Sequence, residues 1–195
     1  CTGQSSSLLL FDPLSGRLLD SIEGLDGDIR SSVVYDAVTD AYYFTSKGGS
    51  FYSVQVAMGE KDWNFTNMWS IKLQNGGEGT PMSTCSPSVY NGRAYVGVSG
   101  AGHFAAYSGH NISVIDLTKK KIAYSVPTQG YPQTSGLLTT AYEDSSGYVY
   151  VYFFDNMTPG KLRVLRDKAG QTSADYLTTE GNNQTAYALF TPTGD

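Results

Sequence analysis

Ser86-Pro87-Ser88-Val89-Tyr90-Asn91-Gly92-Arg93-Ala94-Tyr95-Val96-Gly97-Val98-Ser99 is the stretch on which the fold turns. Two short runs rich in Val and Tyr flank Asn91-Gly92, the dipeptide that most strongly marks a two-residue hairpin. The same arrangement recurs on either side. Upstream, Ser31-Ser32-Val33-Val34-Tyr35 leads through a turn from Asp36 to Asp40 into Ala41-Tyr42-Tyr43-Phe44-Thr45-Ser46. Downstream, Leu138-Thr139-Thr140-Ala141-Tyr142 leads through Glu143 to Gly147 into Tyr148-Val149-Tyr150-Val151-Tyr152. Anchored on Tyr35, Tyr90 and Tyr142, the units recur at about 50 residues, the length of one four-stranded blade.

Each unit continues alike. A third strand is expected over residues 50–56, 111–116 and 161–165, and a fourth over 68–73, 121–126 and, weakly, 174–177. The chain opens on a third and a fourth strand, Ser7-Leu8-Leu9-Leu10-Phe11 and Arg17-Leu18-Leu19. It closes on a lone first strand, Thr185-Ala186-Tyr187-Ala188-Leu189-Phe190. No segment carries the 3.6-residue apolar period of a long helix. In Tyr148 to Phe154, tyrosines fill one face and Val149 and Val151 the other, so the strand is expected between two other sheets. Radially stacked blades supply that arrangement. The alternative, a β-sandwich, predicts cleaner alternation and shorter turn intervals.

The expected fold is therefore all-β, a β-propeller segment of four-stranded antiparallel blades spanning residues 1–195. Its units run approximately 1–28 (partial), 29–80, 81–132, 133–182 and 183–195 (partial). About fifteen strands make about four blades, either half of a larger ring or a small four-bladed ring. The half leaves unpaired edges and a bare blade face, which implies self-association or pairing with further blades.

Composition narrows the function classes. The 195 residues hold 13 Lys and Arg against 18 Asp and Glu, a formal charge of −5, and only 16% are charged. Nucleic acid is not an expected partner, because phosphate neutralisation needs clustered cations. The one basic run, Lys119-Lys120-Lys121, reads as a solvated turn. No apolar run approaches the length of a membrane span. Low charge, abundant Tyr, Asn, Ser and Thr, and only 2 Cys point to an extracellular or cell-surface protein. Asn64, Asn111, Asn156 and Asn183 stand in Asn-x-Ser/Thr sequons. A lipid anchor on Cys1 is the lesser alternative to a trimmed terminus, and a Cys1–Cys85 disulfide stays open.

The repeats resemble the pyrroloquinoline-quinone-type (PQQ-like) β-propeller family. Residues 86–97 look like the first two strands of such a repeat, and Asp12-Pro13-Leu14-Ser15-Gly16-Arg17 looks like its Asp-x-x-Thr-Gly-Lys turn. Asp116-Leu117-Thr118-Lys119-Lys120 keeps the Asp and lacks the Gly; Gly170 keeps the Gly, with Arg166 where Asp is expected. The family's docking tryptophan on the fourth strand is matched by Trp69 and softened to Tyr124, with Asp20 and Ala174 at the equivalent places. The resemblance implies a fold. A quinoprotein dehydrogenase, as the family has it, also needs an acidic base, a calcium site and adjacent cysteines. No Cys-Cys pair is present, so the activity is not carried over and no cofactor is expected.

Candidate sites are sparse. His103 and His110 share a long loop without an evident third metal ligand. Ser108 or Ser113 beside His110 lacks the strained elbow of a nucleophilic serine. Gly76-Gly77-Glu78-Gly79-Thr80 lacks the Lys and the helix of a phosphate loop. Asp26-Gly27-Asp28 with Glu23 does not have EF-hand spacing and reads as an inter-blade turn. An insertion from Met58 to Asn67 places Trp63 and Phe65 in polar surroundings. With Tyr107 and Tyr131 they are expected to form an aromatic platform for a sugar or a protein, His103 and His110 lying nearby. The functional expectation is a non-catalytic binding or scaffold module recognising glycan or protein. The alternative is a fragment of a quinoprotein-like enzyme whose cofactor site lies in other blades.

Overall fold

The computed structural model describes residues 5–76, 79–100, 109–141, 145, 147–157, 161–173 and 187–188. Strands and turns account for all regular structure among them. The first sheet pairs β1 (Leu8–Phe11) with β2 (Leu18–Ile22). The second runs β3 (Val34–Asp36), β4 (Ala41–Thr45), β5 (Ser50–Met58), β6 (Trp63–Lys72). The third runs β7 (Ser88–Tyr90), β8 (Arg93–Val98), β9 (Asn111–Asp116), β10 (Lys121–Pro127). The fourth runs β11 (Leu137–Thr139), β12 (Val149–Asp155), β13 (Lys161–Asp167), β14 (Tyr187–Ala188). Every sheet is an antiparallel meander in chain order, so each is a self-contained blade and no strand switches sheets as a sandwich would require.

Local chemistry explains the turns. Asn91 and Gly92 both take positive φ, 48° and 74°, and close β7 onto β8 in two residues. After β1, the Asp12 carboxylate accepts the Leu14 amide at 2.9 Å and the Ser15 hydroxyl at 2.7 Å, while Gly16 takes φ 69°. After β9, Asp116 accepts the Lys119 amide at 2.9 Å, and Lys120 occupies the left-handed position at φ 51° that the missing glycine would have filled. After β13 the aspartate is Asp167, one residue beyond the expected Arg166 position. Its carboxylate points into the core.

One apolar core runs through the second, third and fourth sheets, from Tyr43 and Phe51 through Tyr95, Val96, Ile112 and Val114 to Val151 and Phe153. A smaller one joins the first sheet to the second through Leu8, Ile29, Phe44, Tyr52 and Val54. Every residue of β8 and of β9 is buried, because the third sheet has a neighbour on each face. In β12, Val149, Val151 and Phe153 are buried, whereas Tyr150 and Tyr152 are half-buried and Phe154 is 42% exposed. Two dry faces thus belong to the middle sheet, not to β12 as expected from sequence.

Two further expectations change. The Met58 to Asn67 segment is not an insertion but the prolonged end of a hairpin, with Met58 opposite Trp63 and Val56 opposite Phe65. The closing strand is not a first strand: Tyr187–Ala188 pairs with β13 and fills the fourth place of the fourth sheet. The expected strand over 174–177 lies outside the described residues. Asn111, one of the sequon asparagines, is buried, donates to Gln74 O at 2.8 Å and accepts the Ser113 hydroxyl.

Each outer strand of the first three sheets carries a β-bulge, and the residue that follows it reaches the next sheet. The register shifts before Asp20 on β2, before Trp69 on β6 and before Tyr124 on β10. An extra residue bends the strand and re-aims the following side chain. Asp20 accepts the Phe65 amide of the second sheet at 2.8 Å. Trp69 packs on Tyr43 and Phe51 with Lys120 of the third sheet over its ring. Tyr124 donates to Asp167 of the fourth sheet at 2.6 Å.

Candidate functional site

The expected aromatic platform does not assemble. Phe65 packs against the small core between the first and second sheets. The hairpin tip beside it is tied to the first sheet by an ion pair between Arg17 and Asp62. Trp63 stands 49% exposed at that tip, opposite Met58. Tyr131 is fully buried: its hydroxyl accepts the Thr84 amide at 2.7 Å, and its ring lies 6.0 Å from His110. His110 is buried as well, and its Nδ1 accepts the Gly100 amide at 2.9 Å. These two therefore hold chain segments together and present nothing to a ligand. His103 and Tyr107 lie outside the described residues, as do Gly77 and Glu78 of the glycine-rich loop.

Buried charges sit in the seams. Arg93 reaches Asp167 at 3.4 Å and Asp116 at 4.0 Å, and its Nη2 donates to Lys168 O at 3.1 Å. Tyr95 and Tyr124 donate to the two oxygens of Asp167 at 2.8 and 2.6 Å. Burial and the neighbouring carboxylate raise both tyrosine pKa values; burial also raises that of Asp167 against the opposing pull of Tyr124, Tyr95 and Arg93. Arg163 and Asp155 pair at 2.8 Å inside the fourth sheet. Asp26 ties the loop after the first sheet to the second. Burial works to raise its pKa, but the Lys72 ammonium and the hydroxyls of Ser46, Ser50 and Tyr52 outweigh it and bring the group to about 2. Asp26 is thus an inter-blade tie. Cys85 is a free, buried thiol, pushed up to about 12 by burial.

Among the described residues an open groove runs along the seam between the second and third sheets, made of two clefts that share Lys120 and missed by sequence reasoning. Its first half, about 540 Å³, is lined by Thr39, Tyr43, Ser53, Gln55, Asn67, Trp69 and Lys120 among others. Its second half, about 520 Å³, continues from Lys120 past Lys72, Lys121 and Tyr124. Gln55 donates to Thr39 O at 3.2 Å and accepts from Asn67 Nδ2 at 2.7 Å, while the Tyr43 hydroxyl donates to Thr39 Oγ1 at 2.9 Å. Neither lining includes Asp, Glu, His or Cys. The signal that pointed here was Trp69 itself, read from sequence only as a docking residue. A second cleft of about 220 Å³, lined by Leu8, Val33, Tyr42 and Phe65, is smaller and apolar. Among the described residues the fourth sheet keeps apolar side chains exposed on one face, where Leu137 is 70% exposed and Phe154, 42% exposed, stands with half-buried Tyr152 and Leu162.

No family model matches the chain, and no curated protein does. Solved structures do. The chain is similar to the quinohemoprotein alcohol dehydrogenase of Comamonas testosteroni, with a TM-score of 0.63, 13% identity and 94% of this chain covered. The quinohemoprotein alcohol dehydrogenase ADHIIG of Pseudomonas putida HK5 gives 0.61, 15% and 93%. The Dos1 propeller gives 0.55, 11% and 89%. The chain spans 33% of the length of each dehydrogenase and 43% of the Dos1 propeller. At such identities the likeness is one of fold. Four antiparallel meander sheets and these neighbours together establish an all-β chain built as part of a β-propeller, of about four blades.

Proposed function

We propose that this chain is a non-catalytic binding or scaffold module of an exported or cell-surface protein, recognising its ligand on the outer surface of the blades. One observation carries the reading. The buried ionisable groups Arg93, Asp167, Arg163 and Asp155 are engaged within and between sheets, while the groove along β6 and β10 exposes an indole, two amides, hydroxyls and lysines. A catalytic cavity brings titratable groups together at an accessible point. Here the accessible point gathers hydrogen-bonding and stacking groups instead, which is the composition of a recognition site. The low charge and the abundance of Tyr support an exported location.

A thermal-shift screen tests the proposal. Soluble cell-wall polysaccharides held near 100 times their Kd raise stability by about 2.7 kcal/mol. A shift with pyrroloquinoline quinone and calcium instead would overturn the non-catalytic reading. If only protein partners shift the transition, recognition moves to the exposed apolar side chains Leu137 and Phe154 of the fourth sheet.

A further inference from the structure

We infer that the two ends of the sheet array dock onto a second copy of this chain, head to tail, so that two copies close one ring. The inference is independent of what the outer groove binds.

Each sheet has two faces, and strand alternation sorts its side chains between them. On the third sheet, Ala94, Val96 and Val98 look back at the second, while Arg93 and Tyr95 look on to the fourth and reach Asp167. On the fourth sheet, Val149, Val151, Phe153 and Asp167 look back at the third. Cross-strand pairing puts Leu137, Tyr152, Phe154 and Leu162 on the other, forward face. On the first sheet, Leu8 and its partner Ile22 look on to the second. Phe11, three residues beyond Leu8, pairs with Leu18 and lies on the back face.

Burial separates the two end faces from the rest. Side chains that meet in the seams are dry: Leu8 and Phe44 between the first two sheets, Tyr95, Val151 and Phe153 between the last two. At the ends, Phe11 is 40% and Leu18 49% exposed, and Leu137 and Phe154 are 70% and 42% exposed. Were the fourth sheet closed onto the first within one copy, these side chains would be buried like their counterparts in the seams. The array is therefore open, and the small four-bladed ring is excluded.

The faces themselves name the occupant. The fourth sheet presents forward the kind of face that the second and third present to their successors. The first presents backward the kind of face that the third and fourth present to their predecessors. One end of a copy thus matches the opposite end of another, as consecutive sheets match within the chain. Head-to-tail contacts of this kind close into a ring when the rotation between copies completes a circle. The likeness to the Dos1 propeller takes in 43% of that chain, so these sheets match an arc of a little under half, and two such arcs fill most of the ring. Pairing the ends also removes the exposed apolar patches that make an open array prone to uncontrolled association.

Sedimentation velocity of the full 195-residue chain tests the arrangement. A dilution series shows a monomer–dimer equilibrium and nothing larger. Leu137→Asp and Leu18→Asp each weaken the dimer about a hundredfold or more, because either one leaves an unpaired carboxylate in both seams. Both positions are exposed in a single copy, so each variant keeps a cooperative melt. Mixing the two variants brings back a dimer held by one seam, where the intact fourth sheet of the Leu18→Asp copy meets the intact first sheet of the Leu137→Asp copy. Val38→Asp, in the exposed turn between β3 and β4, leaves the dimer as it was. A chain that stays monomeric overturns the inference and hands the end faces to another partner. A ladder of larger species overturns closure by two copies. A dimer that survives Leu18→Asp but not Leu137→Asp overturns the head-to-tail order, as does a mixture no more associated than either variant alone.

Discussion

Trp69 on β6 and Tyr124 on β10 occupy the same place in successive sheets, each just after a bulge, and they join their sheets to the next by different chemistry. The Trp69 seam is aromatic: Tyr43 and Phe51 behind the indole, Lys120 in front, and an open groove alongside. The Tyr124 seam is polar and closed, with Tyr124, Tyr95 and Arg93 converging on Asp167. The wider indole spans the distance to the next sheet by contact and leaves space beside it. A phenol carries a hydrogen-bond donor at its tip and can reach a buried carboxylate. One backbone position, once aimed by a bulge, accepts either solution, and the choice decides which seam stays open.

The largest expected effect lies in the polar seam. Asp167→Ala leaves Arg93 buried without its nearest counter-charge and removes the acceptor of two tyrosines, so a loss of about 3–5 kcal/mol in urea unfolding is expected. A loss under 1 kcal/mol would show that water enters this seam and that the two seams are less different than they look. Trp69→Ala comes next, at roughly 3 kcal/mol, the low end for large aromatic truncations because the indole is half-buried. Tyr124→Phe keeps the ring but strips one donor from Asp167, for about 1–3 kcal/mol in the same assay. If Tyr124→Phe costs as much as Trp69→Ala, the hydrogen bond rather than ring contact dominates docking at this position.

Two smaller effects sharpen the picture. The folded-state pKa of Asp26 is depressed to about 2 from an ordinary value of 3.8, so its contribution is present above pH 4 and is lost as the pH falls toward 2. With the group partly exposed, solvent screening holds that contribution to about 1 kcal/mol. Asp26→Asn should flatten this acid limb in melts recorded from pH 5 to pH 2, and an unaltered limb would remove Asp26 from the account. Cys85 should resist Ellman's reagent in native buffer and react only on unfolding, because its thiol pKa of about 12 leaves almost no thiolate at neutral pH.

Much of the blade pattern was legible because it is written in short-range chemistry. The Asn91-Gly92 hairpin, the Asp12 turn and the alternation of Val and Tyr need only neighbours a few residues away. The candidate site was not legible in the same way. Tyr131 reads from sequence as a free aromatic among polar residues, yet the bridge it forms with Asn156 and its bond to Thr84 bury it. Trp63 and Phe65 read as loop aromatics because the strand period was lost at the bulge before Trp69, which shifts the alternation by one residue.

The sequence alone thus determined the strands, the tight turns and the recurrence of about 50 residues, since each follows from backbone preferences that act locally. Tertiary structure decided which sheet Tyr187–Ala188 joins and which way Asp167 turns. It also decided that Gln55, Asn67 and Trp69 share a groove with Lys120 and Lys121. Those outcomes depend on how one sheet packs against the next, and the competing local arrangements of the same residues are nearly equal in energy until that packing selects one.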